Sequence, residues 1–153
     1  MPTSSLTRML AATLLAAAAG CALAAGDTGP SSPDDPLNGA RAHIAASRWT
    51  AAIEELQRVN ARDSADWHNL MGYSYRKARQ PDLEAAERHY DEALRLDPKH
   101  RGALEYSGEL YLMKGDLARA EQRLATLDKL CTFSCAEYRD LKKAVADHKA
   151  GKH

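Results

Sequence analysis

Apolar residues return along this chain three and four positions apart, in stretches separated by short polar breaks. Leu104, Ser107, Gly108 and Tyr111 fall on one helical face, which predicts a helix over Arg101 to Lys114. Gly115-Asp116 interrupts it, and Asp116 is suited to cap the next helix by accepting a free backbone amide. Leu117, Ala120, Leu124, Leu127 and Leu130 form the stripe of that second helix. So short a break requires the two helices to run antiparallel. The pattern is already present upstream, where Gly72 is followed by Tyr75, Ala86, Tyr90 and Ala93; Gly72 and Gly108 are 36 residues apart. Recurrence at such a period predicts stacked helical hairpins. The small residues Gly108 and Ala120 are expected to let two backbones approach, with Tyr111 and Leu124 filling the space above and below.

A weaker unit precedes these two. Trp49, Ala52, Ile53, Leu56 and Val59 repeat the second-helix stripe, and Arg41 to Ala46 is the expected first helix, with Ala40 where the later units have glycine. After the last unit, Tyr138, Leu141 and Val145 form the stripe of a helix expected over Ala136 to Ala150, with Lys142, Lys143, Asp147 and Lys149 outside it. A stack of hairpins needs such a closing helix, because its last apolar face is otherwise bare.

The segments Asn69-Leu70-Met71-Gly72-Tyr73-Ser74-Tyr75 and Ala86 to Pro98, ending Ala93-Leu94-Arg95-Leu96-Asp97-Pro98, resemble a tetratricopeptide repeat. Pro98 cannot extend a helix, so the chain turns there into the next unit. The resemblance covers 37–132, divided as a degenerate unit 37–64 and two full units 65–100 and 101–132, with a capping helix and tail at 133–153. It implies an all-α, right-handed α-solenoid of about three helix-turn-helix hairpins plus a C-terminal capping helix. The chain departs from the family pattern in three places. The turn Ala78 to Asp82 has about two extra residues, Trp67 stands one position before the usual large residue (His68 occupies that place), and the last unit ends in Cys131-Thr132 without a proline.

The N-terminal part reads differently. Arg8, the apolar run Met9 to Gly20 and Ala22-Leu23-Ala24 have the form of an export signal, expected over residues 1–25 with a cut after Ala24 or Ala25. Ala19-Gly20-Cys21 also resembles the end of a lipobox, which makes a lipid anchor at Cys21 the alternative; Ala18, where leucine is usual, favours ordinary cleavage. Either route exports the chain to the bacterial envelope, with a periplasmic location as the first expectation. Residues 26–36, rich in glycine, serine, aspartate and proline, are expected to form a flexible leader.

Composition removes several functions from consideration. The 153 residues carry a formal charge of zero, which does not support a general nucleic-acid-binding surface. No mature stretch is apolar enough for a membrane span. No phosphate-binding glycine loop or His-Glu metalloprotease pattern is present, the histidines at 43, 68, 89, 100, 148 and 153 are scattered, and Ser107 and Ser134 have no base near in sequence. The expectation is a protein without catalytic residues, metal or cofactor that binds another protein.

Two sets of candidate residues follow. Cys131 and Cys135 stand at the joint before the closing helix, and in an exported chain a disulfide is the leading reading. Reduced thiols in an interface, or a periplasmic metal or redox pair, are the alternatives. The second set comes from the resemblance, which places ligand contacts on the first helix of each repeat. That face carries Asp66, Asn69, Leu70, Tyr73, Arg76 and Lys77, then Glu105, Tyr106, Glu109, Leu112 and Met113, with Arg41 from the degenerate unit. The residues expected to bind a peptide or helix are Arg41, Asn69, Tyr73, Arg76, Lys77, Tyr106 and Glu109. Asparagine can pair with peptide backbone, tyrosine can stack and the cations can meet a carboxylate. Glu105 and Glu109 stand where a grip on a C-terminal carboxylate requires Lys or Arg. The plainer alternative is a solvated face with internal ion pairs, such as Arg76 with Glu109. A structural subunit that homo-oligomerises or joins an envelope complex is a further alternative.

Overall fold

The computed structural model describes residue 32, residues 34–133 and residues 135–152. The export signal at 1–25, the lipobox reading at Cys21 and most of the leader at 26–36 lie outside the described residues. Seven helices, with no strand, make up the described fold: α1 Asn38–Ala45, α2 Trp49–Val59, α3 Ala65–Lys77, α4 Leu83–Leu96, α5 Arg101–Met113, α6 Leu117–Leu130 and α7 Ala136–Lys149. They form three successive hairpins and a closing helix, a tetratricopeptide-like helical solenoid.

Side-chain caps fix where four of the seven helices start. Ser64, Asp82, His100 and Asp116 are N-caps whose side chains accept from Trp67, Ala85, Ala103 and Arg119 backbone N–H at 3.2, 2.8, 3.1 and 3.0 Å. Such caps contribute roughly 1 kcal/mol each. Asn60 ends α2 in the left-handed region, and Gly115, at φ +75°, makes the tight α5–α6 turn. The α3–α4 tip spans 78–82 against 114–116 for α5–α6, so the two extra residues lie at an exposed turn.

The first helix begins earlier than the expected Arg41 to Ala46. Leu37 is buried and anchors the entry, while Asp35 Oδ1 accepts from Leu37 N at 2.9 Å and Ser32 O from Asp35 N at 2.9 Å. The last part of the leader therefore folds as a turn onto α1.

Each helix packs on its successor, and the first helices also pack on one another, α1 on α3, α3 on α5 and α5 on α7. One buried cluster joins Leu37, Leu56, Trp67, Leu70 and Met71; the other joins Tyr90, Leu104, Leu110, Tyr111, Leu127, Leu141 and Val145. Tyr75 touches both. At Gly72 an added Cβ meets Tyr90 Cε1 at 2.7 Å and Ala86 O at 3.1 Å, so the glycine admits its hairpin partner. Gly108 corrects the expectation that it closes on Ala120 of its own hairpin. The nearest atoms to its missing Cβ belong to Leu141 of α7, at 2.5 and 2.7 Å. The closing helix thus inserts a leucine into the notch of the last repeat.

Cys131, which caps the end of α6, and Cys135, which precedes α7, form a disulfide with Cα atoms 5.5 Å apart. It ties together the two helices at the joint where the preceding unit uses Pro98. Among the described residues no helix is long and apolar enough to cross a membrane.

Candidate functional site

The row of first helices presents Asp66, Asn69, Tyr73 and Arg76 on α3 at intervals of three or four, beside Glu105, Tyr106 and Glu109 on α5. At the start of this face, His100 Nδ1 accepts from Ala103 N, so its Nε2 carries the proton and donates to Asp66 Oδ1 at 2.9 Å. That bond, together with Arg41, holds the Asp66 carboxyl below the usual carboxylate range. Arg41 Nη2 lies 3.3 Å from Asp66 and 3.7 Å from Asp35. Arg41 is therefore spent joining α1 to α3 and the N-terminal turn.

Further along, the rings of Tyr73 and Tyr106 are 4.6 Å apart, and Trp49 meets Tyr73 edge-on at 5.8 Å. Arg76 lies against both tyrosines, its guanidinium carbon 5.5 and 5.6 Å from the ring centres. Its Nη2 pairs with Glu109 at 2.7 Å and its Nε donates to Tyr90 Oη at 3.4 Å. Only 6% of the Arg76 side chain is exposed, so the internal ion pair read from the sequence as the plainer alternative does form. Arg76 is the brace that holds the two tyrosines. Burial raises the hydroxyl pKa of both Tyr73 and Tyr106, which keeps them as neutral hydrogen-bonding groups.

The structure thus gathers Asn69, Tyr73, Arg76, Tyr106 and Glu109 on one face, with Arg41 joined to it through Asp66. Lys77 is exposed at the end of α3, and among the described residues no hydrogen bond or ion pair links it to the others. Asn69 is buried, and its Oδ1 has no partner while its Nδ2 approaches Gly102 of α5. Beyond Glu109 the face dips into a hollow of about 310 Å³ between the ends of α3, α5 and α7, lined by Arg76, Glu109, Leu112, Met113, Ala144 and Asp147 among others.

Two carboxylates stand out here: Glu105, which the sequence placed on this face but not among the expected binding residues, and Glu137, which it did not single out. Glu105 is 5% exposed and Glu137, from α7, is 2% exposed. Burial first, then Glu109, Asp140 and Glu137, push the Glu105 carboxyl up to about 8. The signal in the sequence was the pair Glu137 and Asp140, three apart on the closing helix beside its apolar stripe.

A second polar cluster lies around a cavity of about 300 Å³ lined by residues of α2, α3, α4 and the 60–62 turn. His68 Nε2 is 3.0 Å from Arg62 O, which can only accept, so His68 Nδ1 is left as acceptor for His89 Nδ1 at 3.0 Å. Trp67 Nε1 donates to Leu56 O at 2.7 Å, and Tyr75 stacks on His89 with centres 5.7 Å apart. Burial and then His68 lower the His89 pKa to about 4. Among the described residues no group of three or more His, Cys, Asp or Glu side chains is placed to hold a metal ion.

A family model for the tetratricopeptide repeat matches residues 78–145, from the α3–α4 tip into α7. No curated protein matches the chain.

Proposed function

We propose, for a chain that is a tetratricopeptide repeat protein, that it is a non-catalytic adaptor which holds a peptide or helix of another protein on the face of α1, α3, α5 and α7. The repeats support protein–protein interaction in general terms. The observation that carries the finer reading is the Tyr73–Tyr106 pair, clamped by Arg76 and Glu109 on the row of first helices. Stiff aromatic rings offer contact area at little ordering cost, and a braced platform loses little freedom when a ligand docks. The N-terminal signal pattern supports placing this adaptor in the bacterial envelope, where the Cys131–Cys135 disulfide persists.

The test compares affinity capture from envelope extracts by the wild-type chain and by the Tyr73→Ala/Tyr106→Ala variant, with thermal melts showing that both are folded. Loss of at least about tenfold of the wild-type partner is expected if the pair acts as a binding hot spot. Equal capture by a folded double variant contradicts the groove assignment.

A further inference from the structure

We propose that the partner inserts a guanidinium or ammonium group between α5 and α7, against Glu105 and Glu137, so that the ligand is a basic segment of a protein. This rests on the groove reading above and names the chemistry of its occupant.

Two carboxylates, on facing helices, are more than nine-tenths buried, and neither has a hydrogen bond or ion pair among the described residues. Glu109 and Asp140 stand beside them. The cation that faces this cluster, Arg76, is already bound to Glu109 at 2.7 Å, and Arg101, one turn before Glu105, has an interaction of its own. Several carboxylates elsewhere in the fold are matched. Glu87 pairs with Lys114 and Arg119, Asp91 with Arg123, and Asp147 with Lys143. Glu137 has partial compensation from the first turn of α7, where the helix dipole favours negative charge; Glu105, in the middle of α5, has none.

The side-chain atoms sealed from solvent without a partner are Arg41 Nε, Asn69 Oδ1 and Arg123 Nε among the described residues. The oxygens of Glu105 and Glu137 are not among them, so they keep a small contact with solvent. A buried acid that opens to solvent and lacks a partner is an unmet demand that a cation satisfies. A metal ion is a poor match, because among the described residues no three ligating side chains converge. A guanidinium carries five donors in a planar fork and spans separated carboxylates. The hollow beyond Glu109 offers Leu112, Met113 and Ala144 to a methylene stem, with Arg76, His148 and Lys152 also in its lining beside Glu109 and Asp147.

The experiment pans a random twelve-residue peptide library on the wild-type chain and measures the enriched peptides by fluorescence anisotropy. Arginine and lysine are expected above their library frequency. Glu105→Gln should weaken those peptides by roughly thirtyfold, the loss typical when one member of a buried charge pair is removed. Glu137→Gln should weaken them in the same direction. Binding at pH 7 should release roughly one proton, as the incoming cation draws the Glu105 carboxyl back toward its ordinary range. Replacing an unpartnered carboxyl by its neutral amide should leave the fold intact, and a thermal melt checks this. Enriched peptides that are neutral or acidic, lose affinity in the Tyr73→Ala/Tyr106→Ala variant and ignore Glu105→Gln overturn the cation inference while leaving the groove reading in place. Peptides insensitive to all these substitutions, or no enrichment at all, overturn both.

Discussion

Among the described residues, two clusters of buried polar side chains differ in whether their needs are met. Around the α2–α3–α4 cavity the answer is yes: His68 has a partner on each ring nitrogen, His89 donates to it, and the Trp67 indole is tied to Leu56 O. On the face of α3, α5 and α7 the answer is no: Asn69 Oδ1 is orphaned, and Glu105 and Glu137 are buried without partners. Both surfaces have a hollow of similar size, about 300 and 310 Å³, so volume does not separate them. What separates them is unspent hydrogen-bonding and charge. A satisfied cluster stabilises a fold, whereas an unsatisfied one lowers stability until something binds.

The largest expected effect breaks the closed cluster. Trp67→Ala empties a buried indole site and leaves Leu56 O without its donor, which should cost about 3–5 kcal/mol. Urea unfolding checks this, while peptide affinity of the remaining folded fraction should be unchanged. A loss of affinity without a loss of stability would move the binding role to the cavity.

The next effect has the opposite sign. The Glu105 carboxyl sits at about 8 in the fold against an ordinary 4.5, so its ionisation opposes folding. Its stabilising contribution is present below 4.5 and is lost as pH rises from 4.5 through 8. Glu105→Gln should therefore raise stability by roughly 2 kcal/mol at pH 8 and flatten that alkaline limb. A destabilised variant would show that Glu105 already has a stabilising role.

The smallest effect is an acid limb from the other cluster. His89 sits at about 4 against an ordinary 6.5, with His68, Arg88 and Arg62 around it. Its unfolded form takes up the proton first, so stability is lost as pH falls from 6.5 toward 4. Partial exposure of the ring keeps this near 1–2 kcal/mol. His89→Gln should remove it, and an unchanged limb would assign acid sensitivity elsewhere.

Much of the fold was legible because it is periodic. The 36-residue recurrence of Gly72 and Gly108, the cap at Asp116 and the stripe of α6 each state a local rule. The start of α1 was less legible, since it depends on Leu37 being buried by α2 and α3 residues distant in sequence. At Gly108 the glycine was read correctly as a notch, but its occupant, Leu141, comes from a helix 33 positions later, and spacing within a hairpin cannot show that. In the site, helical spacing grouped Asn69, Tyr73 and Arg76, and charge signs suggested the Arg76–Glu109 pair. Burial was invisible. Nothing local distinguishes Glu105, pressed against α7, from Lys77, left in solvent. His68 and His89 meet only because α3 and α4 fold against each other.

The most direct test of the contrast between the two clusters is an amide and side-chain NMR map of the chain titrated with an arginine-bearing peptide from the library. The account predicts shifts at Tyr73, Glu105, Tyr106, Glu109, Glu137 and Asp140, with His68, His89 and Trp67 unmoved. Shifts centred on Trp67, His68 and His89, with the carboxylates unmoved, contradict it.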